Sequence, residues 1–262
     1  MTRIIAITNQ KGGVGKTTTA INLAAGLSDA GKRVLVVDLD PQANATMGSG
    51  INKRSLTQTV YHVLLGLATV ESVRLSAKSG NYHLLPANRD LAGAEVEMVE
   101  LEHRETRLKS ALAPILQEYD FILLDCPPAL NLLTLNGLVA ADAVVIPMQC
   151  EYYALEGLSD LVATIKKVRT SLNPRLEIEG LLRTMFDPRN VLAQQVSDQL
   201  QQHFGDKVYN TIIPRNVRLA EAPSFGAPAV ALDRECKGSQ AYLALTSEIL
   251  ARAGVEPAPV AA

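Results

Sequence analysis

Ile4-Ile5-Ala6-Ile7-Thr8-Asn9-Gln10-Lys11-Gly12-Gly13-Val14-Gly15-Lys16-Thr17-Thr18 is the stretch from which the rest of this chain can be read. Its first four residues form an unbroken apolar run, which suits a strand covered on both faces. Small residues follow, and Lys16-Thr17-Thr18 then heads a segment of helical periodicity. Strand, glycine-rich turn and helix in that order make a place for phosphate. Small residues let backbone N–H groups turn inward around an anion, and the helix N-terminus adds partial positive charge. In such a loop Lys16 reaches the β- and γ-phosphates of a nucleotide, and the Thr17 hydroxyl is placed to ligate Mg²⁺. The usual spacing puts a glycine five residues before Gly15; here that position is Gln10, and the loop carries an extra lysine, Lys11.

Working outward, apolar β-branched runs recur at Val34–Val37, Phe121–Leu124, Ala143–Ile146, Ile178–Leu182 and Val208–Ile213. Segments of helical period separate them: Thr17–Ala30, ending at Gly31, then Glu105–Glu118, Ala154–Leu172 and Gly238–Ala253. Alternating strands and helices imply right-handed βαβ units, hence an α/β, doubly wound, mostly parallel sheet. The segment from Gly48 to Gly80 is the least regular, with a small helix expected near Thr57–Leu65. No internal repeat or Gly/Ser linker divides the chain, so residues 1–254 read as a single domain. The Pro/Ala-rich tail, 255–262, reads as disordered.

Two of these strands end in carboxylates. Val34–Val37 runs into Asp38-Leu39-Asp40-Pro41-Gln42, and Phe121–Leu124 runs into Asp125-Cys126-Pro127-Pro128. The C-terminal ends of parallel strands are where α/β sheets place their ligands. Asp38 and Asp125, with Thr17, are the expected metal residues, Asp125 in the role of an acid that holds Mg²⁺ through water. Asp40 is the candidate to orient or deprotonate an attacking water, on a loop stiffened by Pro41. Strand-end aspartates also serve simply as caps of the next turn, and that use stays open for both segments.

Composition narrows the partners. Among 262 residues, 47% are hydrophobic, which suffices for one large core; formal net charge is -2 and the pI is near 6.1. That balance gives no global pull toward nucleic acid or acidic membrane, so any such binding needs a local patch. No tryptophan and 4% aromatics argue against stacking platforms for single strands. Cys126, Cys150 and Cys236 have no CxxC spacing and read as reduced thiols. The N-terminal apolar run is too short for a signal peptide or a membrane span, and a cytoplasmic protein is expected.

With the three motifs in hand, the sequence resembles the ParA/MinD group of deviant Walker A P-loop ATPases, and within it the ParA (Soj) chromosome-partitioning branch. Lys11-Gly12-Gly13-Val14-Gly15-Lys16-Thr17-Thr18 carries the likeness, and Gln10 in place of glycine is normal in the group. So do Pro147-Met-Gln-Cys-Glu-Tyr-Tyr-Ala-Leu-Glu-Gly157 and Ile213-Pro-Arg-Asn-Val-Arg-Leu-Ala-Glu-Ala-Pro223. The resemblance implies ATP and Mg²⁺ as cofactors and a homodimer formed on ATP binding. In it Lys11 would reach the nucleotide of the partner subunit, and Gly12 would permit close approach of the two loops. Asp40 and Lys16 would complete the catalytic set with Lys11. Asp125 to Asn131 would form a second switch loop, and Pro214 and Asn216 would line the adenine pocket.

The same resemblance implies non-specific double-stranded DNA as a partner, held by Arg189 and Arg218, with Arg215 and Lys237 as further candidates. It also implies a ParB-type centromere-binding protein that stimulates hydrolysis, and a nucleoid-associated location. Scattered arginines on an acidic protein are otherwise ordinary solvated surface. Three other functions use the same kind of loop. A MinD-like membrane-cycling ATPase needs a terminal basic amphipathic helix, which Gly254-Val-Glu-Pro-Ala-Pro-Val-Ala-Ala262 cannot form. An iron–sulfur ATPase needs paired thiols. A small-molecule kinase or ligase would bind its acceptor where the second subunit otherwise sits.

Overall fold

The computed structural model describes residues 2–254, and the tail 255–262 assigned above to disorder lies outside them. Eight strands form one sheet: β1 (Arg3–Ile7), β2 (Val34–Asp38), β3 (Leu75–Ser76), β4 (His83–Leu85), β5 (Phe121–Asp125), β6 (Ala143–Met148), β7 (Glu177–Phe186) and β8 (Val208–Pro214). Their order across the sheet is β3-β4-β2-β5-β1-β6-β7-β8. All neighbours run parallel except the short antiparallel pair β3–β4.

Successive strand residues point to opposite faces, so each continuous apolar run fills two cores at once. Ile4, Ala6, Leu35, Val37, Ile122 and Leu124 join one core. On that face lie helices Val60–Leu65, Leu91–Glu97, Leu132–Ala140, Ala154–Ser171 and Val191–Phe204. Ile5, Ile7, Val34, Val36 and Leu123 join the other, beneath helices Lys16–Asp29 and Lys237–Arg252. The sheet is doubly wound, as expected from the sequence.

Most expected elements stand within a residue or two of their limits, and the helix Lys16–Asp29 ends before Gly31 at φ 76°. One expectation needs correction. Glu105–Glu118 is broken into a 3-10 segment at Arg104–Thr106, a short α-helix at Arg107–Leu112 and a second 3-10 segment at Ala113–Glu118. Pro114 has no N–H to continue the ladder, and the chain tightens there instead. The helices Leu132–Ala140 and Val191–Phe204 fill two of the intervals between apolar runs, while strands β3 and β4 correspond to no such run. The outer strand β8 is capped sideways: the Glu248 carboxylate accepts from the amides of Asn210 (2.8 Å) and Thr211 (2.9 Å). That occupies donors which an edge strand would otherwise offer to another chain.

Candidate nucleotide-binding site

Strand β1 lies between β5 and β6, and Asp125 is in register with both Ile7 and Asp38. The loop after β1 therefore opens over the ends of β2 and β5, with every acidic candidate on the same rim. Gly13 and Gly15 take φ of 74° and 90°, a region that costs most other residues strain. No side chain caps the helix that starts at Lys16, so its first amides are free to face an anion. The loop is pinned from outside. Asn9 Nδ2 donates to the Pro147 carbonyl (2.8 Å), and Thr184 Oγ1 donates to the Val14 carbonyl (2.8 Å).

The two lysines of the loop go to different places. Lys16 is buried; its Nζ folds across the loop and donates to the Lys11 carbonyl at 3.1 Å. Burial lowers its pKa, while Asp125 and Asp40 nearby act in the opposite sense. The Lys11 side chain turns outward, half-exposed, to an ion pair with Glu151. Tyr152 and Tyr153, the residues that follow Glu151, are 73% and 71% exposed.

Thr17 Oγ1 donates to Asp125 Oδ2 at 2.8 Å. The other oxygen, Asp125 Oδ1, is fully buried without a hydrogen-bond partner. Such an orphaned carboxylate oxygen is costly unless something else occupies its lone pairs. Desolvation, then the neighbouring Asp38, pushes the Asp125 carboxyl well above its ordinary range. A divalent cation, or water bound to one, reverses that pressure. Thr17 and Asp125 together thus fit a Mg²⁺ position completed by phosphate oxygens and water. Among the described residues no group of three His, Cys, Asp or Glu side chains forms a metal cage by itself.

Asp38, expected among the metal ligands, has other partners here. Its Oδ2 accepts from Thr46 N (2.8 Å) and Thr46 Oγ1 (2.7 Å), and its Oδ1 accepts from Asp40 N (3.2 Å). The Thr46 hydroxyl accepts in turn from Ala87 N at 2.9 Å. Both oxygens of this fully buried carboxylate are engaged by its own loop, so Asp38 anchors that loop. Burial raises its pKa, and the Thr46 hydrogen bonds oppose the rise. Asp40, on the same loop, is also buried, and its Oδ1 accepts from Gln42 N at 2.9 Å.

A cavity of about 140 Å³ adjoins the loop, lined by Gly15 and Thr18 and by Met185, Pro214, Arg215 and Asn216. Pro214 and Asn216, the residues expected at the adenine, both line it. Met185, at φ 50°, was missed, since methionine carries no signal for a left-handed conformation. Arg215 lines this cavity and also lies close enough to Asp187 to lower its pKa. Arg189 and Arg218 lie beyond it, in the segments after β7 and β8, whose ends pair at Phe186 and Pro214. Cys126 and Cys150 are buried and free, and burial raises both thiol pKa values.

Sheet order, loop and acidic rim define a P-loop nucleotide-binding protein. The AAA domain family matches residues 2–178. The chain is 51% identical to the chromosome partitioning protein ParA of Caulobacter vibrioides over 252 residues, 95% of this chain and 94% of the relative. It is 54% identical to the sporulation initiation inhibitor protein Soj of Bacillus subtilis over 251 residues, 96% and 99% of the two chains. Among solved structures, the cobyrinic acid a,c-diamide synthase of Mycobacterium smegmatis with bound ADP and magnesium superposes with a TM-score of 0.87. That pair shares 37% identity, over 97% of this chain and 96% of the other. The chain belongs to the ParA/MinD superfamily of deviant Walker A P-loop ATPases, in the ParA (Soj) branch.

Proposed function

We propose that this protein binds ATP with Mg²⁺, dimerises around it, holds DNA without sequence preference and lets go on hydrolysis, so that DNA is partitioned. The observation that carries the reading is the divergence of the two lysines. Lys16 fills the phosphate loop of its own chain, whereas the Lys11 side chain turns outward to Glu151, the residue that precedes two exposed tyrosines. A cation so placed serves a phosphate presented by a second copy, as an arginine finger does. The Lys11–Glu151 pair is about half-exposed, and such pairs contribute about 0–1 kcal/mol, so exchanging it for a partner's phosphate costs little. Exposed aromatic surface at that rim suits burial against another chain.

When bound, Mg²⁺ neutralises charge on the transferring phosphate. Thr17 and Asp125 would hold it, and Lys16 and the free amides at the helix head would bind and orient the phosphates. Asp40 would position the attacking water and take its proton, Asp38 keeping that loop in place through Thr46. Pro214 and Asn216 would receive the adenine. Arg189 and Arg218, with Arg215, would contact DNA phosphates. Dimerisation doubles that surface, so two weak sites act as one stronger site. A ParB-type partner offering a basic segment near the dimer interface would accelerate hydrolysis and release. No helix among the described residues is long and apolar enough to cross a membrane, and a nucleoid-associated place in the cytoplasm fits the reading.

Sedimentation with ADP, with a non-hydrolysable ATP analogue, and with the analogue plus DNA tests it. A dimer is expected only with the analogue, and DNA retention only with that dimer. A chain that stays single at saturation overturns the reading. D40A should keep the dimer and lose about 10²–10⁴-fold in hydrolysis, whereas a D40A protein that fails to bind nucleotide would remove Asp40 from catalysis. The likeness to the Mycobacterium smegmatis enzyme favours a second reading, a small-molecule ligase. It predicts a chain that remains single with ATP and consumes it only with a carboxylic acid acceptor.

A further inference from the structure

The arginines assigned to DNA do not stand free. Arg189 is clamped by Asp187 at two points, Nε to Oδ1 at 3.0 Å and Nη2 to Oδ2 at 2.8 Å. Arg218 lies between two carboxylates, Nη1 at 3.2 Å from Glu221 and Nε at 3.2 Å from Asp233. Arg215 shares the field of Asp187. Three guanidinium charges at the ends of β7 and β8 thus meet three carboxylates, and the charges of these six groups balance.

We infer that Asp187, Glu221 and Asp233 are built-in counterions that set the DNA affinity of this surface, occupying Arg189 and Arg218 until phosphates displace them and reclaiming them on release. The inference rests on the DNA-binding reading above. The Arg189 side chain is 88% exposed, and all three carboxylates are at least one-third exposed, so no burial holds the pairs together. Exposed pairs of this kind are weak. A phosphate arriving with favourable counterion release can therefore outcompete them. The carboxylates offset the pull of these arginines at a distance, and they oppose each of their phosphate contacts in the dimer. DNA binding then depends on doubling the patch, and release after dimer dissociation is fast.

The triple variant D187N/E221Q/D233N tests this. D187N keeps an oxygen for the Arg189 amide, which Asp187 Oδ1 now accepts at 3.0 Å, and D233N does the same for Cys236 N at 3.2 Å. Fluorescence anisotropy on a random-sequence duplex, with ADP and with a non-hydrolysable ATP analogue, is followed across a salt series. The variant should bind about tenfold or more tightly with the analogue. It should also bind measurably with ADP, where the parent does not. Its log–log salt slope should steepen by about one unit for each arginine freed. If R189A/R218A abolishes binding while the triple variant matches the parent in affinity and slope, the carboxylates do not set the affinity and the inference fails, with the DNA reading intact. If the parent itself does not hold DNA with the analogue, the DNA reading fails and takes the inference with it.

Discussion

The centre of the sheet and its β7–β8 end treat charge in opposite ways. At the centre, Lys16, Asp38 and Asp125 are buried, and their partners come from the phosphate loop, the Lys16–Asp29 helix and the Asn44–Gly48 helix. At the β7–β8 end, Arg189 and Arg218 are exposed, each paired with carboxylates on the adjoining segments. A buried charge in a fixed frame is expensive to misplace, so it acts as an all-or-none part of the machine. An exposed charge with a nearby counterion is cheap to move, so it acts as a dial. Large effects belong at the first region and graded ones at the second.

The sharpest way to break this contrast is Lys16→Ala. It removes charge-assisted hydrogen bonds worth about 1.5–3 kcal/mol each, so ATP affinity should fall by about 100-fold or more. Titration with a fluorescent nucleotide reads it; a change of only a few-fold would make Lys16 no more decisive than a surface arginine.

Next in size is the backbone contact that couples the two regions. Gly50 follows the Asn44–Gly48 helix, which contains Thr46, and Gly226 follows the Ala222–Phe225 turn just beyond Arg218. A Cβ on Gly226 would stand 2.7 Å from the Gly50 Cα, and Gly226 has φ 63°. Gly226→Ala should cost about 2–4 kcal/mol from overpacking and left-handed strain together. Thermal unfolding measures that loss; an unchanged midpoint would mean the two segments part freely.

Smaller again is Thr46→Val, which keeps the shape but takes one donor from the buried Asp38 carboxylate. About 1–3 kcal/mol of stability is expected to go, read by urea denaturation. A neutral result would move the anchoring of this loop elsewhere.

The smallest effect is acidification at the β7–β8 end. The hydrogen bonds from Arg189 hold the Asp187 carboxyl down to about 2. A depressed carboxyl contributes stability present above its unfolded value and lost as pH falls through the folded one. The Asp187–Arg189 pair should therefore persist at neutral pH and open only between roughly pH 4 and 2, as NMR titration of the Asp187 carboxyl would show. A midpoint near the ordinary aspartate value would mean that the clamp does not form in solution.

Legibility followed the range of the interactions. The phosphate loop, Thr17 and the strand-end acids could be read directly, because a strand, a tight turn and a helix head are properties of neighbouring residues. Six strands showed as apolar runs for the same reason. Strands β3 and β4 did not, since two or three residues carry no periodicity and form only because β2 offers an edge. The arginines at 189 and 218 could be placed in their segments, yet their occupation by Asp187, Glu221 and Asp233 could not.

By itself the sequence determined the parallel α/β architecture and the position of the phosphate loop, since both follow from local periodicity and backbone preference. Only the tertiary structure decided that Lys11 turns outward to Glu151 and that Asp38 spends both oxygens on its own loop. It alone left one oxygen of Asp125 without a partner. Those outcomes depend on which groups the fold buries together, and burial is set by neighbours far away in the chain.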